Sequence, residues 1–151
     1  MSVKVPPIEK IHEAYSAIAD GRIVMRKTEA DVTSSDLSKQ YLVKWKENVY
    51  SSNDNASYWK GYLGYPLIAV LMLQGKLSLD QKIADYFKGI NWKKLNTKHK
   101  NKFAEAVKEI MDGFEAAGID CEPINKEIEK VYEEIEKLTI STKRSALRPP
   151  K

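Results

Sequence analysis

Apolar positions recur along this chain with changing rhythm, and each rhythm predicts a different element. Near the N-terminus, Ile8, Ile11, Tyr15 and Ile18 fall at helical spacing and form one stripe. Pro6 and Pro7 precede the stripe, and Gly21 stands where a glycine commonly ends a helix. The pattern predicts a first helix over residues 7–20. From Arg22 the period shortens towards two. Residues 22–26 read as a strand, and residues 30–33 as its continuation after a break. Ser34, Ser35, Asp36, Leu37 and Ser38 carry turn chemistry. Tyr41, Val43 and Trp45 then alternate with Leu42 and Lys44, the pattern of a half-buried strand. Residues 49–52 form a third short strand after the turn at 46–48. The expectation is a small antiparallel meander, which needs a helix to pack against.

Residues 67–73 are apolar on every side, as in a helix buried all round. Pro66 suits its first turn and Gly75 its end, so the prediction is a central core helix over 66–74. Ser78 and Gln81 have the spacing of a capping box, opening a helix to about Lys88 with Leu79, Ile83, Tyr86 and Phe87 inward. Residues 91–95 read as a short helical turn anchored by Trp92. Thr97 is the expected cap of a fourth helix, striped by Phe103, Val107, Ile110 and Phe114 and stopped at Gly118. Pro123 starts a fifth, where Ile124, Ile128, Val131, Ile135 and Leu138 make a heptad-like seam. That seam serves either a helix packed on its own domain or a homodimer through residues 124–138. The predicted fold class is α+β: mostly helical, about five helices, with a three-stranded antiparallel β-meander near the N-terminus. Residues 1–140 are expected to form one globular domain, and 141–151 a basic, flexible tail.

Composition narrows the class. The chain has 151 residues, 42% of them apolar, which suits one domain with a real core. Its longest apolar run, 67–73, falls far short of the roughly 20 residues a membrane-spanning helix needs. Residues 1–7 lack the apolar segment of a signal peptide, so the expected compartment is the cytoplasm. Cys121 is the only cysteine; it can form no internal disulfide and reads as a small buried hydrophobe.

The net charge of +4 admits an anionic partner. Arg22, Arg26, Arg144 and Arg148 are the only arginines among 25 basic side chains, and bidentate base reading favours arginine. The densest basic run holds Lys93, Lys94, Lys98, Lys100 and Lys102. Those lysines would neutralise phosphates without reading sequence, or simply form a solvated face.

No catalytic centre is visible. No glycine-rich phosphate loop follows a strand, and Gly61 and Gly64 have the wrong spacing for one. His12 lies one residue off the first apolar stripe, an edge-of-core or surface position, and His99 sits in the basic run. The two cannot assemble a metal site, and no cofactor is expected. Asp54, between Asn53 and Asn55, reads as a turn or helix cap, or as a polar contact in a cleft. Tyr58, Trp59 and Tyr62 precede the buried helix in a polar, glycine-containing stretch, where aromatic side chains can reach a surface and anchor a partner.

Residues 30–73 also resemble the SWIM-type zinc finger, a small strand-strand-helix module. The resemblance is carried by the turn Ser34-Ser35-Asp36, the strand Tyr41-Leu42-Val43-Lys44-Trp45, Tyr50-Ser51-Ser52, a spacer with Gly61, and the helix start Ile68-Ala69-Val70-Leu71. The family's Cys-x-Cys and Cys-x-His ligands are absent. Ser51, Ser52, Asn53 and Asp54 stand at the first pair, and Gly64, Tyr65 and Pro66 at the second. The resemblance therefore implies a metal-free module in which Trp59, Tyr62 and Tyr65 pack where zinc would bind, and it implies DNA or protein partners. The expectation is a non-enzymatic binding module for nucleic acid or a protein. The alternatives are a small-molecule binder or unrecognised enzyme using the 53–65 loop, and an assembly protein dimerising through its last helix.

Overall fold

Helix α1 (Glu9–Ala19) and helix α2 (Tyr65–Leu73) pack on each other at the centre of the computed structural model, which describes residues 4–151. Residues 1–3, and with them the start of the 1–7 stretch, lie outside the described residues. Helix α2 has no polar face, and residues 67–72 are at most 3% exposed. It is enclosed by α1 on one side and by strands β3 (Gln40–Lys46) and β4 (Val49–Ser52) on the other. Helix α1 is covered in turn by α3 (Gln81–Tyr86), α5 (Phe103–Ala116) and α6 (Glu122–Glu136). Eight consecutive residues of α1, from Lys10 to Ala17, are buried although only one stripe of that helix is apolar.

The predicted α+β class holds, but the sheet is larger than a three-stranded meander. Among the described residues it has five strands in the order β1-β2-β3-β4-β5. Residues 22–33 do not form one interrupted strand. They fold back as a hairpin, β1 (Ile23–Met25) against β2 (Glu29–Thr33), with Ile23 opposite Val32 and Met25 opposite Ala30. Arg26 donates to both Glu29 and Asp31 and so stabilises the reversal. In β2, Ala30 and Val32 point into the core. The fifth strand lies at the start of the segment expected as a tail. Ser141–Thr142 (β5) pairs parallel with β4, and Lys143 donates its amide to the Tyr50 carbonyl at 2.9 Å. Farther on, Arg148 accepts from the Asn53 amide at 3.3 Å. The segment is thereby held on the sheet by main-chain bonds.

Among the described residues helices number six, plus a five-residue π-helix at Ala56–Lys60. Two predicted caps are replaced. The Ser78 hydroxyl is taken by Glu134 of α6 at 2.6 Å, and Asp80 caps α3 instead by accepting from the Ile83 amide. Asn91, not Thr97, provides a cap in the next stretch, where residues 92–98 form a full helix α4 (Trp92–Lys98). Thr97 bonds back to the Lys93 carbonyl inside that helix. Among the described residues no helix is long and apolar enough to cross a membrane.

The heptad-like seam of α6 faces inward. Ile124, Ile128, Val131 and Ile135 are at most 2% exposed, and Leu138 packs against the same core. Helix α1 packs against this seam. Ile128→Ala should therefore cost about 2–5 kcal/mol, as a core truncation does. Urea unfolding at several protein concentrations checks this: the loss should not change with concentration, as it would if the seam joined two chains.

Candidate functional site

A cleft of about 750 Å³ opens where α1, the β2–β3 turn, the π-helix and the α4–α5 region meet. Its size falls within the usual range for small-ligand pockets. Two buried charged groups come from α1. Glu13 is 7% exposed and its carboxylate lies 3.2 Å from the Lys10 ammonium. The Asn96 amide of α4 donates to the other carboxylate oxygen at 3.3 Å. Lys10 in turn lies over the Phe103 ring, 3.9 Å from its centroid. Burial is the main influence on Glu13 and pushes its pKa up, while Lys10 and Asn96 pull it back in part. A carboxylate with shifted affinity for its proton, walled into a cleft, is a common mark of a functional site.

Aromatic side chains supply the walls. Tyr41 and Tyr65 meet edge to face at 6.4 Å, and both line the cleft. Burial holds both phenols above their usual pKa, so each keeps its proton near neutrality. The β2–β3 turn is tied to α4 through Lys93, whose amide donates to the Ser35 hydroxyl and whose ammonium lies 3.4 Å from Asp36. Asp36 itself is held well below the usual carboxylate range by the Ser38 hydroxyl and amide, the Ser34 hydroxyl and Lys93.

The π-helix forms the remaining wall. Asp54 is buried, and its carboxylate accepts from the Ser52 hydroxyl and from the Ser57 amide. These bonds anchor the start of the π-helix, which is the capping role. The same side chain also lines the cleft. Gly64 makes this packing possible: a Cβ there would lie 1.9 Å from an Asp54 carboxylate oxygen. Trp59 is 60% exposed and stands between this cleft and a smaller groove of about 390 Å³.

Of the residues singled out in the sequence, Asp54, Trp59, Tyr62 and Lys93 meet at the cleft. Tyr58 turns into the smaller groove, where Arg144 lies 5.0 Å from its ring centroid. Lys94, Lys98, Lys100 and Lys102 do not line the cleft. Lys98 is paired with Glu109 at 2.8 Å, and Lys93 with Asp36, so the basic run is partly neutralised. Lys10, Glu13, Tyr41, Tyr65 and Asn96 carry no motif. Glu13 and Asn96 are brought together only by the packing of α4 on α1. Among the described residues no group of three His, Cys, Asp or Glu could hold a metal ion. His12, expected at an edge or surface, is 5% exposed and meets Phe87 edge to face at 5.6 Å. Cys121 is buried, and burial raises its thiol pKa.

Two outcomes follow from these contacts. Gly64→Ala should displace the Asp54 carboxylate from its two donors and lower stability by about 1–3 kcal/mol, measured by thermal or urea unfolding. Burial lowers the His12 pKa from 6.5 to about 4, so its neutral form is the one the folded state prefers. That contribution is intact above pH 6.5 and is lost as pH falls towards 4, amounting to about 3 kcal/mol. Glu13 acts in the opposite sense, since its pKa is raised. The comparison is therefore with His12→Gln, which keeps Glu13. The advantage of the unaltered chain over this variant should shrink by about that amount between pH 6.5 and pH 4.

One family model matches residues 3–141, described as uncharacterised conserved protein UCP014422. The match takes in every cleft residue and reaches well beyond the 30–73 segment that resembles the SWIM module. No curated protein and no solved structure matches the chain.

Proposed function

The chain belongs to that family, and we propose that it is a small-molecule-binding protein whose site is the cleft between α1 and the π-helix. The observation that carries this reading is the Lys10–Glu13–Asn96 group, buried at the base of an aromatic-walled cavity of ligand size. A buried ion pair is a weak source of stability, because desolvating both charges offsets most of their attraction. Its position in a cavity wall is better explained by recognition of a polar ligand group. Convergent polar groups within apolar, aromatic surroundings are the usual composition of such sites.

A nucleic-acid surface draws less support. Of the five lysines expected to form it only Lys93 lines the cleft, and Lys93 and Lys98 are already paired with acids. The reading is of binding, with the Ser34 and Ser52 hydroxyls serving turn and capping bonds to Asp36 and Asp54.

Intrinsic fluorescence tests the proposal. Trp92 is 2% exposed and Trp59 is 60% exposed at the cleft edge, so an entering ligand should change Trp59 emission first. Titration with a library of small aromatic acids and heterocycles should yield saturable quenching that Trp59→Phe abolishes. No saturable response from any compound at about 1 mM would refute the proposal.

A further inference from the structure

The chemistry of the cleft also indicates which class of ligand it takes. Glu13 and Asn96 offer acceptor and donor atoms side by side at the base. The Asn96 amide spends one donor on Glu13, leaving its carbonyl and second N–H unspent among the described residues. An adjacent donor and acceptor in the plane of one ring is what the edge of a purine or pyrimidine presents. Tyr41, Tyr65 and Trp59 supply aromatic faces around that position, and base–aromatic stacking contributes about 1–3 kcal/mol per base.

Charge near the opening is one-sided. Lys39 and Lys60 line the cleft and form no ion pair with any acid among the described residues. Lys60 is exposed and Lys39 half-buried, so both sit nearer solvent than Glu13. The two acids of the cleft are already occupied, Glu13 by Lys10 and Asp54 by Ser52 and Ser57. Asp54 keeps its negative charge, but Lys10, Lys39, Lys60 and Lys93 outnumber Glu13 and Asp54 in the lining, so the net charge of the cleft is positive. We propose that the cleft binds a nucleoside monophosphate, with the base edge on Glu13 and Asn96 and the phosphate on Lys39 and Lys60. This rests on the reading of the cleft as a small-molecule site.

The test is calorimetric titration of the full chain with adenosine, guanosine, cytidine and uridine monophosphates, with the four free nucleosides, and with inorganic phosphate. At least one monophosphate should bind with a Kd below about 1 mM, at least 10-fold tighter than its nucleoside or phosphate alone. The double variant Lys39→Ala, Lys60→Ala should reduce its affinity to that of the nucleoside and leave nucleoside binding unchanged. Glu13→Gln should alter the preference among the four bases. Because Glu13 is buried beside Lys10, this variant may only be scored if its melting temperature stays within a few degrees; Asn96→Ala, at a half-buried position, is the second probe of the same edge. Failure of all four monophosphates, equal binding of phosphate alone, or insensitivity to the lysine pair would each overturn the assignment. If the monophosphates fail while other heterocycles quench Trp59, the ligand class is wrong and the cleft reading stands. If neither responds, both fall.

Discussion

The burial of α2 on every side is the constraint from which the remaining architecture follows. A nine-residue helix with no polar face must be enclosed, and no single layer can do it. The sheet covers one side and α1 the other. That leaves α1 itself between α2 and an outer layer of α3, α5 and α6. A helix in that position has no solvent face, yet α1 carries Lys10, His12, Glu13 and Ser16 among its apolar residues. The cost of burying a polar group without a partner is several kcal/mol, so each of these must be answered inside the protein.

The answers differ, and the differences separate structure from site. Ser16 donates to the Phe87 carbonyl and accepts from the Trp92 indole, both at 2.6 Å. Those two bonds close the end of α3 and the start of α4 onto α1 and leave nothing unsatisfied there. His12 is answered only in part: burial holds it neutral against Phe87, and its Nδ1 has no hydrogen-bond partner among the described residues. Glu13 and Lys10 answer each other, but at the one end of α1 where the outer layer does not close. Lys10 and Glu13 thus face a cavity, whereas His12 and Ser16, on other sides of the helix, are sealed. The anchoring of α4 through Trp92 also positions Asn96 one helical turn on, next to Glu13.

Much of this architecture was legible in the sequence because it is written in local periodicity. The all-round apolar run at 67–73 announced α2, and the alternation of Tyr41, Val43 and Trp45 announced β3. The misreadings arose where a distant partner decided the matter. Nothing near Ser78 reveals that Glu134, 56 residues away, takes its hydroxyl. Residues 141–142 pair with β4 because its edge was open to them, which composition does not record. The site was legible in part for the same reason. Asp54, Trp59 and Tyr62 stood out as polar and aromatic residues in an irregular stretch. Glu13 gives no signal in the sequence, since an i,i+3 Lys–Glu spacing is common on ordinary helix surfaces.

The irregular stretch has its own physical logic. A π-helix inserts an extra residue per turn and survives only where its surroundings hold it, which is why such turns often mark functional sites. Here the hold is the buried Asp54 carboxylate at one end and the left-handed Gly61 at the other, with φ of 75°. The wider turn leaves Trp59 exposed between two cavities, while its neighbour Tyr58 lies against Arg144 of the C-terminal segment. The same five residues therefore wall the cleft on one side and receive the end of the chain on the other. The parallel pairing of β5 consequently reaches the cleft through the π-helix: residues that follow β5 brace the wall from behind, and α1 presents Lys10 and Glu13 from the front.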